Sequence, residues 1–293
     1  MRRKWLFIVN PVSGTGTGKH LPRSLHRLAC YDNVDYTIRF TTRAGHATEL
    51  AARAGAEGFT HVVAVGGDGT VNEVGSALLG TDIVMGIIPR GSGNGFARHL
   101  GLSTRMHQAL RQLIEGEEAR VDALDINGRC SLNVSGVGFD AEVARLFAQM
   151  KRRGFLSYAR ASALLWFRYG ERRYTFRCGE QEWEERCLIV SVANSARYGY
   201  NFFIAPAASV QDGLLDICIL KRPKLYQVPA YLYRALTRGL DKLSCFREIQ
   251  CEEVIIDGDL SSGHLDGDPC TFEAPARVKV LPGALRVVMP RAH

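Results

Sequence analysis

No stretch of this 293-residue sequence approaches the ~18–20 consecutive apolar residues of a membrane span, so any contact with a bilayer is expected to be peripheral. The apolar run Trp5–Val9 behind Met1-Arg2-Arg3-Lys4 stops at Asn10, short of the ~7–15-residue core of a secretory leader, and reads as a buried strand. Zinc-type spacing is missing as well. The eight histidines form no H-x-x-x-H, and the eight cysteines (Cys30, Cys130, Cys178, Cys187, Cys218, Cys245, Cys251 and Cys270) form no C-x-x-C pair. Reduced thiols in a cytoplasmic compartment are the expectation. Internal repeats and low-complexity tracts are absent too. The charge surplus is small: 37 Lys+Arg against 30 Asp+Glu give a formal +7, which favours acidic partners such as nucleotides, phospholipid headgroups or nucleic acid without choosing among them.

What is present is an ordinary globular composition, 46% hydrophobic and 23% charged, long enough for one large or two modest domains. Up to about residue 120, short apolar runs alternate with helical spacing. Strands are expected at Trp5–Val9, Tyr36–Phe40, His61–Val65 and Val84–Ile88, and helices at Lys19–Ala29, Gly45–Ala56, Val71–Leu79 and Met106–Ile114. This is the pattern of βα units on a parallel sheet. Beyond Val121 come short runs bounded by turn residues: Asp125–Asn127, Cys130–Val134, Tyr174–Cys178, Cys187–Val192, Leu214–Leu220, Glu253–Asp257 and Arg277–Leu281. They predict an antiparallel β domain interrupted by two helical insertions, Ala141–Tyr169 and Leu225–Leu243. The domains are therefore read as 1–121 and 122–285, with 286–293 either finishing the second or returning to the first.

Three glycine-bearing segments follow strands of the first domain. In His61-Val-Val-Ala-Val-Gly66-Gly67-Asp68-Gly69-Thr70-Val71-Asn72-Glu73 a strand runs into glycines and then a helix, with Thr70-x-x-Glu73 spelling a capping box. Such a junction offers amide N–H groups and the positive end of a helix dipole to an anion. Asp68 would repel a phosphate unless a divalent cation lay between them, so it reads as a Mg²⁺-linked acid. The plainer reading is a tight turn with a solvent-facing Asp. The second segment, Pro89-Arg90-Gly91-Ser92-Gly93-Asn94-Gly95, follows the next strand, and in a parallel sheet it emerges at the same edge. Ser92 and Asn94 can bond phosphate or ribose, or simply cap a helix. Arg90 and Arg98 offer positive charge. The third, Asn10-Pro-Val-Ser13-Gly14-Thr-Gly16-Thr-Gly18-Lys19, is neither a Walker A loop nor a G-x-G-x-x-G fingerprint, and a flexible connector remains open.

These blocks, in this order, resemble the diacylglycerol kinase catalytic family, which includes bacterial lipid kinases, sphingosine kinases and ceramide kinases. The likeness continues through Asn133-x-x-Gly136-x-Gly138-Phe139-Asp140, Val192-Ala-Asn194, Ile204-Ala-Pro206, Asp212-Gly-Leu-Leu-Asp216 and Leu265-Asp266-Gly267-Asp268. Gly-Gly-Asp-Gly-Thr alone also occurs in NAD kinases, with a related form in phosphofructokinases.

The resemblance implies an α/β domain with a parallel sheet, like that of NAD kinase and phosphofructokinase, followed by an antiparallel β-sandwich, with ATP in the cleft between them. Asn10, Ser13, Gly14, Thr41, Gly66, Gly67, Asp68, Gly69, Thr70, Glu73, Gly91, Ser92, Gly93 and Asn94 would line the nucleotide site. Asp68 would hold catalytic Mg²⁺ with support from Asp122. Ser209, Asp212 and Leu214 would hold a structural Mg²⁺, although Asp212-Gly213 alone reads as a turn. Asp266 or Asp268 would be the base, on what also reads as a hairpin turn. Relatives usually have Glu at position 268, and bacterial diacylglycerol kinases commonly have Asp at position 95.

The expectation is thus an ATP- and Mg²⁺-dependent lipid kinase acting on diacylglycerol or a sphingoid lipid. It would be cytoplasmic, peripheral at the inner membrane face, without a nucleic-acid partner, and with homodimerisation left open. The rivals are NAD kinase or another small-molecule kinase, and an inactive nucleotide or lipid sensor. The segment Met150–Tyr169, rich in Arg and aromatic residues, reads equally as a bilayer contact or as a helix packed on the sandwich.

Overall fold

The computed structural model describes residues 3–14, 35–150, 155–199 and 202–291. The expected helix Lys19–Ala29 and the glycines of the first loop beyond Gly14 lie outside these residues. The chain forms two compact units, Met1–Val121 with Gly283–His293, and Asp122–Pro282.

In the first unit, strands β1 (Lys4–Val9), β2 (Asp35–Phe40), β3 (His61–Gly66) and β4 (Val84–Pro89) form a parallel sheet in the order β2-β1-β3-β4. Trp5 pairs with His61, and His61 with Val84. β3 and β4 are buried along their whole length, which is why they read as unbroken apolar runs rather than as alternation. The end of the last strand, β18 (Ala276–Met289), adds to β4 in parallel through Val287 and Met85, so the C-terminal stretch belongs to this sheet. Helix α1 (His46–Ala52) is shorter than the expected Gly45–Ala56, whereas α2 (Asp68–Leu78) starts earlier than Val71. A five-residue helix, α3 (Gly95–His99), leads towards α4 (Met106–Glu115), whose Ala109, Leu110 and Leu113 join Val9, Val63 and Ile88 in the core.

The second unit is built on antiparallel pairs. One sheet joins the start of β18 to β15 (Glu253–Gly258), β8 (Arg172–Cys178) and β9 (Gln181–Cys187), with β5 (Glu117–Ile126) and β6 (Arg129–Ser131) paired beside it. The other runs β14 (Phe246–Cys251), β13 (Leu215–Leu220), β10 (Ile189–Ala193), β7 (Val134–Gly138), β16 (Gly263–Leu265), β17 (Asp268–Cys270). Val137, Val190, Val192, Ile217 and Ile219 from the second sheet meet Leu124, Tyr174, Phe176, Val254, Ile256 and Val278 from the first in one buried layer. On its outer face the second sheet is covered by α5 (Phe139–Gln149), α6 (Phe155–Trp166) and α7 (Val228–Leu236), through Phe139, Val143, Ala161 and Ala235 against Cys218 and Leu220. A small ribbon, β11 (Arg197–Gly199) with β12 (Phe202–Phe203), completes the unit. Among the described residues no helix is long and apolar enough to cross a membrane.

Candidate functional site

Because β1, β3 and β4 are parallel neighbours, the segments that follow them leave one edge of the sheet, and they touch. Asn10 donates from its backbone to Val65 O (3.0 Å) and from Nδ2 to Thr70 Oγ1 (3.3 Å), while Arg90 N donates to Gly66 O (2.7 Å). Gly67 and Gly91 face each other so closely that a Cβ built on Gly91 would lie 2.7 Å from Gly67 Cα, and one on Gly67 would lie 3.2 Å from Gly91 Cα. On the other side a Cβ on Gly14 would lie 2.8 Å from Arg90 O. The glycines therefore serve the mutual approach of three backbones. The structure brings together Asn10, Ser13, Gly14, Gly66 to Thr70 and Gly91 to Asn94. Thr41 stands beside them, its amide bonded to Val9 O at 2.9 Å.

Helix α2 opens into this junction. Its first intrahelical bond runs from Val71 N to Gly67 O (3.0 Å), so the amides ahead of it point along the axis towards the loops, where the helix dipole favours an anion. Asp68, the first helical residue, is half-buried, and its Oδ2 accepts the Asn94 amide at 2.9 Å. Asn94 is left-handed (φ 53°) and closes its own loop, accepting Gly91 N at Oδ1 and donating from Nδ2 to Gly91 O, both at 2.8 Å. Arg98 Nε donates to Gly93 O (3.1 Å) and braces the same loop. Ser92 is exposed.

The expected capping box is not formed. The N-cap of α2 is Gly67, which places Thr70 inside the first turn. Glu73 instead accepts the amides of Gly45 (2.9 Å) and Ala47 (3.0 Å), capping α1 from the neighbouring helix. Both of its oxygens are used in that role, so Glu73 shapes the junction from behind.

The donor set fits a magnesium ion that arrives on nucleotide phosphates: one fixed carboxylate, Asp68, among backbone amides, and no all-protein cage. Among the described residues no group of three or more His, Cys, Asp or Glu side chains able to hold a metal occurs.

In the second unit β16 and β17 form a hairpin closed by Leu265 paired with Asp268, with Asp266 (φ 49°) and Gly267 (φ 91°) at its tip. The two carboxylates part company here. Asp266 is buried and accepts Ser131 Oγ (2.6 Å) and Asn133 N (3.0 Å) at Oδ1 and Leu132 N (2.9 Å) at Oδ2. Its own amide donates to Ser135 Oγ at 3.1 Å. Asp268 is exposed. The hairpin is held from a second side by buried His264, whose Nδ1 accepts Gly267 N (3.3 Å) and whose Nε2 meets Asp140 Oδ2 at 3.0 Å. Asp140 also takes hydrogen bonds from Tyr198 OH and from Ser191 Oγ (3.3 Å). Sequence reading assigned no role to His264, Tyr198 or Ser191. His264 and Asp140 lie 124 positions apart, and no spacing rule links them.

Buried Asp122, in β5, holds the loop before β13: its amide donates to Val210 O (2.7 Å) and its Oδ2 accepts Gly213 N (2.8 Å). In that loop Ser209 Oγ accepts Gln211 N (3.3 Å) and Asp212 Oδ1 accepts Leu214 N (3.1 Å), two successive side-chain turns. Asn194 donates from Nδ2 to Asp122 O (2.8 Å) and Leu132 O (2.9 Å), tying β5 to the 131–133 segment that holds the Asp266 carboxylate.

The chain is similar to known proteins along nearly its whole length. The diacylglycerol kinase catalytic domain matches residues 4–126, and the YegS C-terminal NAD kinase beta sandwich-like domain matches residues 133–289. A protein of Chromohalobacter salexigens named "Probable lipid kinase YegS-like" is 29% identical over 260 residues, covering 86% of this chain and 83% of that protein. One of the same name from Citrobacter koseri is 27% identical over 292 residues, covering 95% and 94%. Among solved structures, a diacylglycerol kinase from Bacillus anthracis str. Sterne shares the fold, with a TM-score of 0.79, 24% identity, and coverage of 98% of this chain and 97% of its own. With both domains matched in order, and with the loops that carry their motifs built as described, the chain belongs to the diacylglycerol kinase catalytic-domain family of YegS-type lipid kinases.

Proposed function

We propose that the protein transfers the γ-phosphate of ATP, with magnesium, to the hydroxyl of a lipid such as diacylglycerol or a sphingoid base. The observation that carries this reading is the junction of the 10–14, 66–70 and 90–94 loops on the N-terminus of α2, with the Asp68 carboxylate pinned by the Asn94 amide. Backbone amides of these loops and the dipole of α2 bind the triphosphate. Asp68 would hold magnesium, which when bound would share the phosphate charge and lower the cost of its transfer. Asn10 and Glu73 fix the loop walls, and Thr41 adds a hydroxyl at the same sheet edge.

The acceptor hydroxyl must lose its proton as its oxygen bonds phosphorus and the bond to the ADP oxygen breaks. Asp268 receives that proton. Asp266, buried and accepting from Ser131, Leu132 and Asn133, holds the turn, and His264 and Asp140 steady the same turn from the other side. Of these two acceptors, Gly95, where bacterial diacylglycerol kinases commonly have Asp, weighs towards the sphingoid base. A structural magnesium on the 209–214 loop, using Asp212 with oxygens of Ser209 and Leu214, belongs to the same proposal.

The test is incubation with radiolabelled ATP and either total membrane lipid or NAD, followed by separation of organic and aqueous phases and mass spectrometry of the product. Label in a chloroform-soluble phospholipid is expected. Label on NAD, or ATP binding without turnover on any lipid, would overturn the assignment.

A further inference from the structure

The connection between β13 and β14 is helical on two sides. Helix α7 turns Tyr231 and Ala235 towards the sandwich, with the Tyr231 ring 6.1 Å from that of Phe202. Its remaining large apolar residues face water: Leu232 is 49% exposed, Tyr233 64% and Leu236 51%, and the turn ahead of the helix adds Leu225 at 67% and Tyr226 at 74%. Pro229, Leu232, Tyr233 and Leu236 fall at i, i+3, i+4 and i+7, a single stripe about a third of a turn away from the buried one. A globular helix spends one apolar stripe on its core, and this one carries a second.

The charge on the same segment is one-sided. Between positions 221 and 243 stand Lys221, Arg222, Lys224, Arg234, Arg238 and Lys242 against a single acid, Asp241, so most of the chain's +7 surplus lies here. Lys224, Arg238 and Lys242 are exposed. Lys221 pairs with Glu185 at 2.8 Å, and Arg222 donates to Tyr169 O (2.8 Å) and Trp166 O. Arg222 thereby fastens the start of the segment to the end of α6, where Leu164 (54%) and Phe167 (78%) are also exposed.

We infer that this face, made by residues 225–236 and continued by Leu164 and Phe167, seats the protein on an anionic bilayer surface. Exposed leucines and tyrosines on one stripe, flanked by lysine and arginine and nearly free of acid, match the apolar boundary and the negative potential of such a surface at once. A partner protein would not require that combination. The inference deepens the lipid-kinase reading by naming the surface through which the acceptor is reached, and rests on it only for that purpose.

Vesicle binding without nucleotide tests it separately from catalysis. The full chain is mixed with vesicles of phosphatidylcholine alone or with about one-third phosphatidylglycerol, sedimented and quantified. At least ~10-fold stronger partitioning onto the anionic vesicles is expected. A Leu232→Ser/Tyr233→Ser/Leu236→Ser variant and a Lys224→Gln/Lys242→Gln variant should each lose ~10-fold or more while melting like the parent and phosphorylating a detergent-dispersed acceptor at the parent rate. Equal binding to both vesicle types, or undiminished binding of the triple-serine variant, would overturn the inference. So would a parent dimer in light scattering that becomes monomeric in that variant, since a second copy of the chain would then occupy the face.

Discussion

Replacing the two hairpin carboxylates one at a time separates a group that builds the turn from the one proposed to take the acceptor's proton. Asp266→Ala removes the acceptor for Ser131 Oγ, Leu132 N and Asn133 N, all within 3.0 Å of the carboxylate in a buried setting. Each buried donor left without a partner costs about 1–3 kcal/mol. Alanine is also poorly suited to the left-handed backbone at φ 49°, a further ~1 kcal/mol. Allowing water to reach part of the space, the loss should be roughly 3–5 kcal/mol, read as a fall in the urea midpoint followed by circular dichroism. Asp268→Asn, at an exposed position, should change stability by less than about 0.5 kcal/mol and lower kcat by ~10²–10⁴-fold. A midpoint for Asp266→Ala within error of the parent would refute the buried-anchor argument. Full activity in Asp268→Asn would refute its role as proton acceptor.

Gly91→Ala would press a Cβ to 2.7 Å from Gly67 Cα, where only backbone can yield, so MgATP affinity measured by calorimetry should fall ~10-fold or more. Gly128→Ala, at a turn with open space around it, should leave affinity unchanged. His61, buried at the start of β3 and stacked on Trp5 (4.4 Å between rings), has its imidazole pushed down from 6.5 to about 4, mainly by burial, with Glu118 opposing the shift. Because the unfolded chain takes up that proton first, stability is full above pH 6.5 and falls as the pH drops towards 4, by up to about 3 kcal/mol. His61→Phe should flatten this part of the profile, and urea midpoints at about pH 4.5 and 7.5 that shift in parallel for both proteins would contradict it.

The meeting of the three glycine-bearing loops was legible because close backbone approach leaves few alternatives to glycine, and because parallel neighbouring strands must deliver their loops to one edge. Glu73 was misread for a physical reason: its spacing to Thr70 obeys a local rule, but the carboxylate found the unpaired amides of α1 instead. Which hairpin aspartate turns inward depends on the pairing of Leu265 with Asp268 and on what lies beneath, neither of which is a local property. The same holds for the His264, Asp140, Tyr198 and Ser191 cluster, assembled across the sheet from four elements. Strand β9 escaped notice because Gln-Glu-Trp-Glu-Glu-Arg-Cys offers little apolar signal beyond Trp183 and Cys187. The last strand runs past its expected end at Leu281, where Pro282-Gly283 is a local turn signal. The chain instead passes through it with Gly283 left-handed (φ 56°) and continues to Met289.

The central claim is that Asp68 acts through magnesium on the phosphates held by the glycine loops. Its most direct test is phosphorylated-lipid production by Asp68→Asn, alongside calorimetric titration with ATP in the presence and absence of magnesium. The account predicts an unchanged fold, turnover reduced by ~10³-fold or more, and loss of the magnesium-dependent part of ATP affinity while magnesium-free binding persists. Retention of most of the parent activity, with the same magnesium dependence, would contradict it.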